Sequence, residues 1–259
     1  MTKRRTVAVC SQKGGTGCSL VSASLALAFA RRGRRVLLLD LAREGHTLDF
    51  FLGLQDRALF GAEELFLGRP ADQTVLSCEN APNLFLCPAS DAGRLFSEKE
   101  LSALLERVSL TVPFDVAVLD LPPQAASEAF YKELADVHLV VSTAQPSALL
   151  LAEKTAELLG QGDSAYLLLN QFDLADPSSY RRGRTRAHEM IDAVGLPLIG
   201  IVPYEYDLLR RSEAGELSRY EAQADIPFDN VVSRLEGERI QRLLALPLQL
   251  GCGGKRECN

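Results

Sequence analysis

Ser11-Gln12-Lys13-Gly14-Gly15-Thr16-Gly17-Cys18-Ser19 is the stretch that decides the fold. It follows an apolar, β-favouring run, Thr6-Val7-Ala8-Val9-Cys10, and leads into a small-residue helical segment from Leu20 to Arg31. A strand that feeds a glycine-rich turn and then a helix N-terminus brings backbone N–H groups together on a phosphate. The regular phosphate-loop pattern is G-x-x-x-x-G-K-[ST]. Here Gln12 stands at the first glycine and Cys18 at the lysine, while Gly17 and Ser19 keep their places. A turn of this kind also arises from packing alone. The glycine spacing together with Lys13 favours a nucleotide site.

Outward from the loop, Arg35 to Asp40 (Arg-Val-Leu-Leu-Leu-Asp) is a continuous apolar run ending in a carboxylate, and Phe114 to Asp120 is another. Such runs suit strands buried on both faces of a parallel sheet. Further strands are expected at Leu84–Cys87, Val137–Ser142, Ala165–Asn170 and Pro197–Val202. Helices are expected at 17–31, 47–54, 61–67, 127–134, 146–159, 185–194, 206–211 and 228–246. Another should begin at Ser97, where Glu100 completes a capping box, and run to Val108. Strands alternating with helices predict an α/β fold, a doubly wound and mostly parallel sheet flanked by helices. In such a sheet the ligand lies beyond the carboxyl ends of the strands, where Asp40, Asp120 and Asn170 fall. The expected organisation is one domain over 1–250 and a disordered tail over 251–259.

Composition narrows the function. At 259 residues, with 47% hydrophobic and 24% charged residues, the chain buries a core without staples. A formal charge of −6 argues against a protein whose main work is coating nucleic acid. Six cysteines form no C-x-x-C pair and there are three histidines, which argues against a metal cluster or a disulfide framework. A reducing cytosol is the expected setting. No apolar stretch reaches the ~18 residues of a spanning helix.

The residues around the loop resemble the MinD/ParA family of P-loop ATPases, whose deviant loop is K-G-G-x-G-K-[ST]. Lys13 matches that family's signature lysine, Gly14, Gly15 and Gly17 its glycines, and Ser19 its magnesium-ligand hydroxyl. Asp120-Leu121-Pro122-Pro123 resembles its D-x-P-P-G switch, with Gln124 in place of the glycine. Leu168-Leu169-Asn170-Gln171 looks like the strand that ends in an adenine-reading asparagine. Ile201-Val202-Pro203-Tyr204 through Gly215 is similar to the segment that wraps the base, and Val141 to Ser147 to a strand-to-helix passage.

The resemblance runs from about residue 5 to 245 and implies ATP or ADP as ligand with Mg²⁺. Lys13, Gly14, Gly15, Thr16, Gly17, Cys18 and Ser19 would hold the phosphates, and Asn170, Pro203 and Tyr204 the base. Ser19, Asp40 and Asp120 would serve the metal. Lys13 and Asp40 are the catalytic candidates. The family's D-x-D is here Asp40-Leu41-Ala42, so the carboxylate that orients water is missing. ATP binding with slow hydrolysis or none is therefore expected.

The family further implies a homodimer that positions another machine, such as a septum or pilus, through protein partners. Loss of the loop lysine resembles the CpaE/TadZ pilus-assembly group. Two readings stand beside this one: a nucleotide-free scaffold, and an active ATPase using atypical residues. DNA contact through Arg181, Arg182, Arg184, Arg186, Arg210 and Arg211 is a weaker expectation. So is peripheral membrane contact through the amphipathic Ile240–Leu246. A redox thiol at Cys18, at a helix N-terminus, is a third.

Overall fold

The apolar runs do form strands, and the computed structural model shows why they carry so few polar residues. It describes residues 4–41, 47–90, 95–123, 132–160, 164–173, 180–181, 184–219 and 226–238. The chain runs β1 (Arg5–Cys10), α1 (Cys18–Arg31), β2 (Val36–Asp40), α2 (Thr47–Leu52), α3 (Ala62–Phe66) and α4 (Ala71–Thr74). There follow β3 (Leu76–Cys78), β4 (Ala81–Cys87), α5 (Glu98–Thr111), β5 (Val116–Asp120), β6 (Val137–Ser142) and helix Pro146–Leu159. Then come β7 (Ala165–Phe172), a short ribbon β8 (Tyr180–Arg181) with β9 (Arg184–Thr185), and helix Arg186–Val194. β10 (Leu198–Pro203) and helices Tyr206–Glu213 and Ile226–Leu235 close the described chain.

Eight strands make one sheet in the order β10-β7-β6-β1-β5-β2-β4-β3, with every pair parallel except β3 with β4. Alternate residues of the central strands serve two separate cores. Val7, Val9, Val36, Leu38, Val116 and Val118 face one side, against α1 and Ile226–Leu235. Ala8, Cys10, Leu37, Leu39, Ala117 and Leu119 face the other, where α5 and the helices Pro146–Leu159 and Arg186–Val194 supply the cover. A strand buried on both faces cannot alternate apolar with polar, which explains the unbroken runs. α1 lies over the middle of the sheet and is buried at ten consecutive positions from Val21 to Ala30.

Some boundaries differ from those expected. β4 starts at Ala81 because β3 pairs with it antiparallel, and β3 itself, three residues long, is too short to show a period. α5 continues to Thr111 and β7 to Phe172. Ser97 and Glu100 do form the capping box: Ser97 Oγ accepts from the Glu100 amide, and the Ser97 amide donates to the Glu100 carboxylate at 2.8 Å. Residues 132–134 form a turn, and 127–131 lie outside the described residues, as do 239–246 and the tail over 251–259.

Candidate functional site

The loop between β1 and α1 is built from backbone conformations that side chains resist. Gly15 has φ 79° and Gly17 has φ 87°, both in the left-handed region where a Cβ is costly. Gly17 is also crowded, because a Cβ there would lie 2.5 Å from Asn170 Nδ2. Gly14 and Gly15 face open space and are exposed. Several loop carbonyls are turned to side chains of the protein. Thr16 Oγ1 donates to the Lys13 carbonyl at 3.2 Å, and Asn170 Nδ2 donates to the Thr16 carbonyl at 2.8 Å.

Among the described residues, no amide from Gly14 to Ser19 donates to another backbone carbonyl. The first turn of α1 carries no acidic side chain. Amides left without intrahelical acceptors at the positive end of a 14-residue helix suit an anion. The Lys13 side chain, half-buried, takes part in no ion pair among the described residues.

Behind the loop stands Asp120, 1% exposed at the end of β5 and in register with Asp40 at the end of β2. Ser22 Oγ donates to Asp120 Oδ1 at 2.8 Å, and Ser19 is a second hydroxyl partner. Burial pushes the Asp120 carboxyl up from 3.8 to about 6, and these two hydrogen bonds oppose the rise. Ser22 was not anticipated; its position one turn after Ser19 on α1 is the signal that points to it. Asp40 is as buried as Asp120. Among the described residues no cluster of three or more His, Cys, Asp or Glu side chains is arranged for a metal. Mg²⁺ in nucleotide sites takes only one or two protein groups and fills its shell from phosphates and water. The Ser19 hydroxyl and the Asp120 carboxylate fit that requirement.

Cys18, half-buried, lies 3.7 Å from Thr16 Oγ1. Burial first, then the charge of Asp120, raises its thiol well above the ordinary value, against the effect of Thr16. The thiol is therefore neutral near pH 7, and burial outweighs the helix terminus that suggested a reactive thiolate.

The base-side candidates lie on neighbouring strands. Pro203 is in register with Phe172, and the Tyr204 amide donates to the Phe172 carbonyl at 3.2 Å. Tyr204 is 57% exposed. Asn170 is 5% exposed, and its amide nitrogen is directed at the loop. Arg210 and Arg211 both pair with Asp207 at 3.0 Å, so one carboxylate offsets half the charge of that part of the expected basic surface. Ala42, Gln124, Arg182 and Ile240–Leu246 lie outside the described residues, as do the side chains of Arg181, Arg184 and Arg186. Among the described residues no helix is long and apolar enough to cross a membrane.

Known proteins share this fold. The ParA family model, described as NUBPL iron-transfer P-loop NTPase, matches residues 2–236. The septum site-determining protein MinD of Synechocystis is 28% identical over 245 residues, covering 91% of each chain. MinD of Neisseria meningitidis is 26% identical over 251 residues, covering 90% of this chain and 91% of its own. Among solved structures, MinD in the MinC:MinD complex of Aquifex aeolicus superposes with TM-score 0.77 at 23% identity, over 91% of this chain and 97% of that one. MinD of Pyrococcus horikoshii complexed with Mg-ADP does so with TM-score 0.71 at 19% identity, over 90% and 96%. These structural matches establish the fold, and the family match spans nearly all of the described chain. The chain is thus a member of the MinD/ParA family of P-loop NTPases.

Proposed function

We propose that this protein binds ATP or ADP with Mg²⁺, dimerises face to face around the nucleotide, and acts as a positioning or scaffold factor that hydrolyses ATP slowly or not at all. The observation that carries the reading is the loop itself: six amides from Gly14 to Ser19 that donate to no backbone carbonyl among the described residues, at the head of α1 and beside Asp120. Within it Cys18 supplies a neutral thiol where the regular loop has a cation. A charge-assisted hydrogen bond contributes roughly 1.5–3 kcal/mol, so its loss weakens ATP by about 10- to 100-fold. Lys13, which makes no ion pair among the described residues, is the cation that offsets part of that loss, from its own or a facing subunit. Ala42 supports slow turnover, because a methyl group cannot orient water.

The partners in this reading are proteins of a localisation or assembly system. The relatives named as septum site-determining proteins, and the one solved with MinC, support that class. Pilus assembly rests on the missing loop lysine alone. A nucleotide-free scaffold is the competing reading, favoured by the same neutral thiol.

Calorimetric titration with Mg-ATP and Mg-ADP separates the two. The proposal expects micromolar binding that Lys13→Ala weakens. No heat of binding up to millimolar nucleotide would leave only the scaffold.

A further inference from the structure

We infer that Asn170 and Gln171 are positioning residues for the phosphate loop, holding its carbonyls so that its amides face a phosphate, and do not act through the base alone. The inference rests on the nucleotide-site reading above and adds a role to it. Asn170 Nδ2 donates to the Thr16 carbonyl at 2.8 Å in a buried setting, 154 residues away in sequence. Gln171 Nε2 reaches the Gly15 carbonyl at 3.5 Å. Gln171 is also the one non-glycine residue with positive φ, 53°, among the described residues. An L side chain rarely adopts that region, and the backbone bend turns two successive amide side chains of β7 onto one loop.

The loop is shaped to receive them. Gly17 leaves the gap that Asn170 Nδ2 enters, and no larger residue fits at 2.5 Å. Thr16 Oγ1 ties the Lys13 carbonyl, so three side-chain donors hold the carbonyls of residues 13, 15 and 16. A regular phosphate loop has a lysine after Gly17, whereas Cys18 has only a weak donor. In this chain the order of the loop comes from neutral amides on the far side. Preorganised donors lose less entropy when an anion arrives. The donor is the nitrogen of Asn170, so its oxygen is left for any base above it, and one amide joins the two halves of the site.

Inorganic tripolyphosphate, which has no base, isolates the bracing role. Asn170→Ala and Asn170→Asp are titrated with Mg-ATP and with Mg-tripolyphosphate. Bracing expects both ligands to weaken by the same factor, roughly tenfold in Asn170→Ala, for the loss of one buried hydrogen bond. It expects Asn170→Asp to be worse, since a carboxylate then faces the Thr16 carbonyl. A purely base-reading Asn170 leaves tripolyphosphate unchanged in both variants while ATP alone weakens, which overturns the inference.

Hydrogen exchange of the ligand-free protein tests the brace without any ligand. Faster exchange confined to residues 11–20 in Asn170→Ala and Gln171→Ala supports it, and unchanged exchange there overturns it. If the native protein binds neither ligand, the nucleotide reading fails while the exchange result still decides the brace.

Discussion

Cys18 and Asp120 are two residues whose environments govern what the site can do. Cys18 has the place of a lysine but is a half-buried, neutral thiol near the Asp120 carboxylate. Cys18→Lys should tighten Mg-ATP by roughly 10- to 100-fold, measured by calorimetry, because it restores a charge-assisted bond. Asp120 has its carboxyl raised from 3.8 to about 6 by burial. Mg²⁺ needs the ionised form, so Mg-ATP affinity should fall as the pH drops below about 6, and titrations across pH 5 to 8 would read this. Stability moves the other way. A carboxyl raised on folding binds its proton more tightly in the native state, so its contribution grows as pH falls from about 6 toward 4. Asp120 was legible in sequence as the polar end of an apolar run. Its partner Ser22, 98 residues away, and the Asn170 contact with Thr16 were not, because no local pattern encodes a pairing made by the fold.

At the scale of elements, local signals that involve only neighbours were legible and the rest were not. The pair Ser97 and Glu100 predicted the start of α5, and both capping hydrogen bonds form. Ser97→Ala should cost about 1 kcal/mol in denaturant-induced unfolding, with no effect on nucleotide affinity. The start of α3 combines a local cap, the Gly61 amide donating to Glu64 at 2.8 Å, with a tertiary contact. A Cβ on Gly61 would lie 2.3 Å from the Ala89 carbonyl, and the amide of Ala62 donates to the Pro88 carbonyl. The chain after β4 thus packs on the helix start too closely for a side chain. α4 and β3, at four and three residues, carry no periodicity of their own and depend on β4 and α5 for their order.

Across the whole molecule, the layering was legible because a doubly covered sheet demands continuous apolar strands. Strand order was not read from the sequence; it emerges from which helix covers which face. The carboxyl edge of that sheet gathers the loop, Asp40, Asp120, Asn170 and Pro203, residues spread over more than half of the chain. The face-to-face dimer is proposed from the family to which the chain belongs, and it would place a nucleotide at this edge between two subunits. The most direct measurement is light scattering of the purified protein with and without Mg-ATP, followed by extraction of the bound nucleotide. A dimer only with Mg-ATP, carrying intact ATP after many minutes, is the expected result. A monomer under both conditions with no nucleotide bound, or rapid conversion to ADP, would contradict a slow nucleotide-dependent dimer.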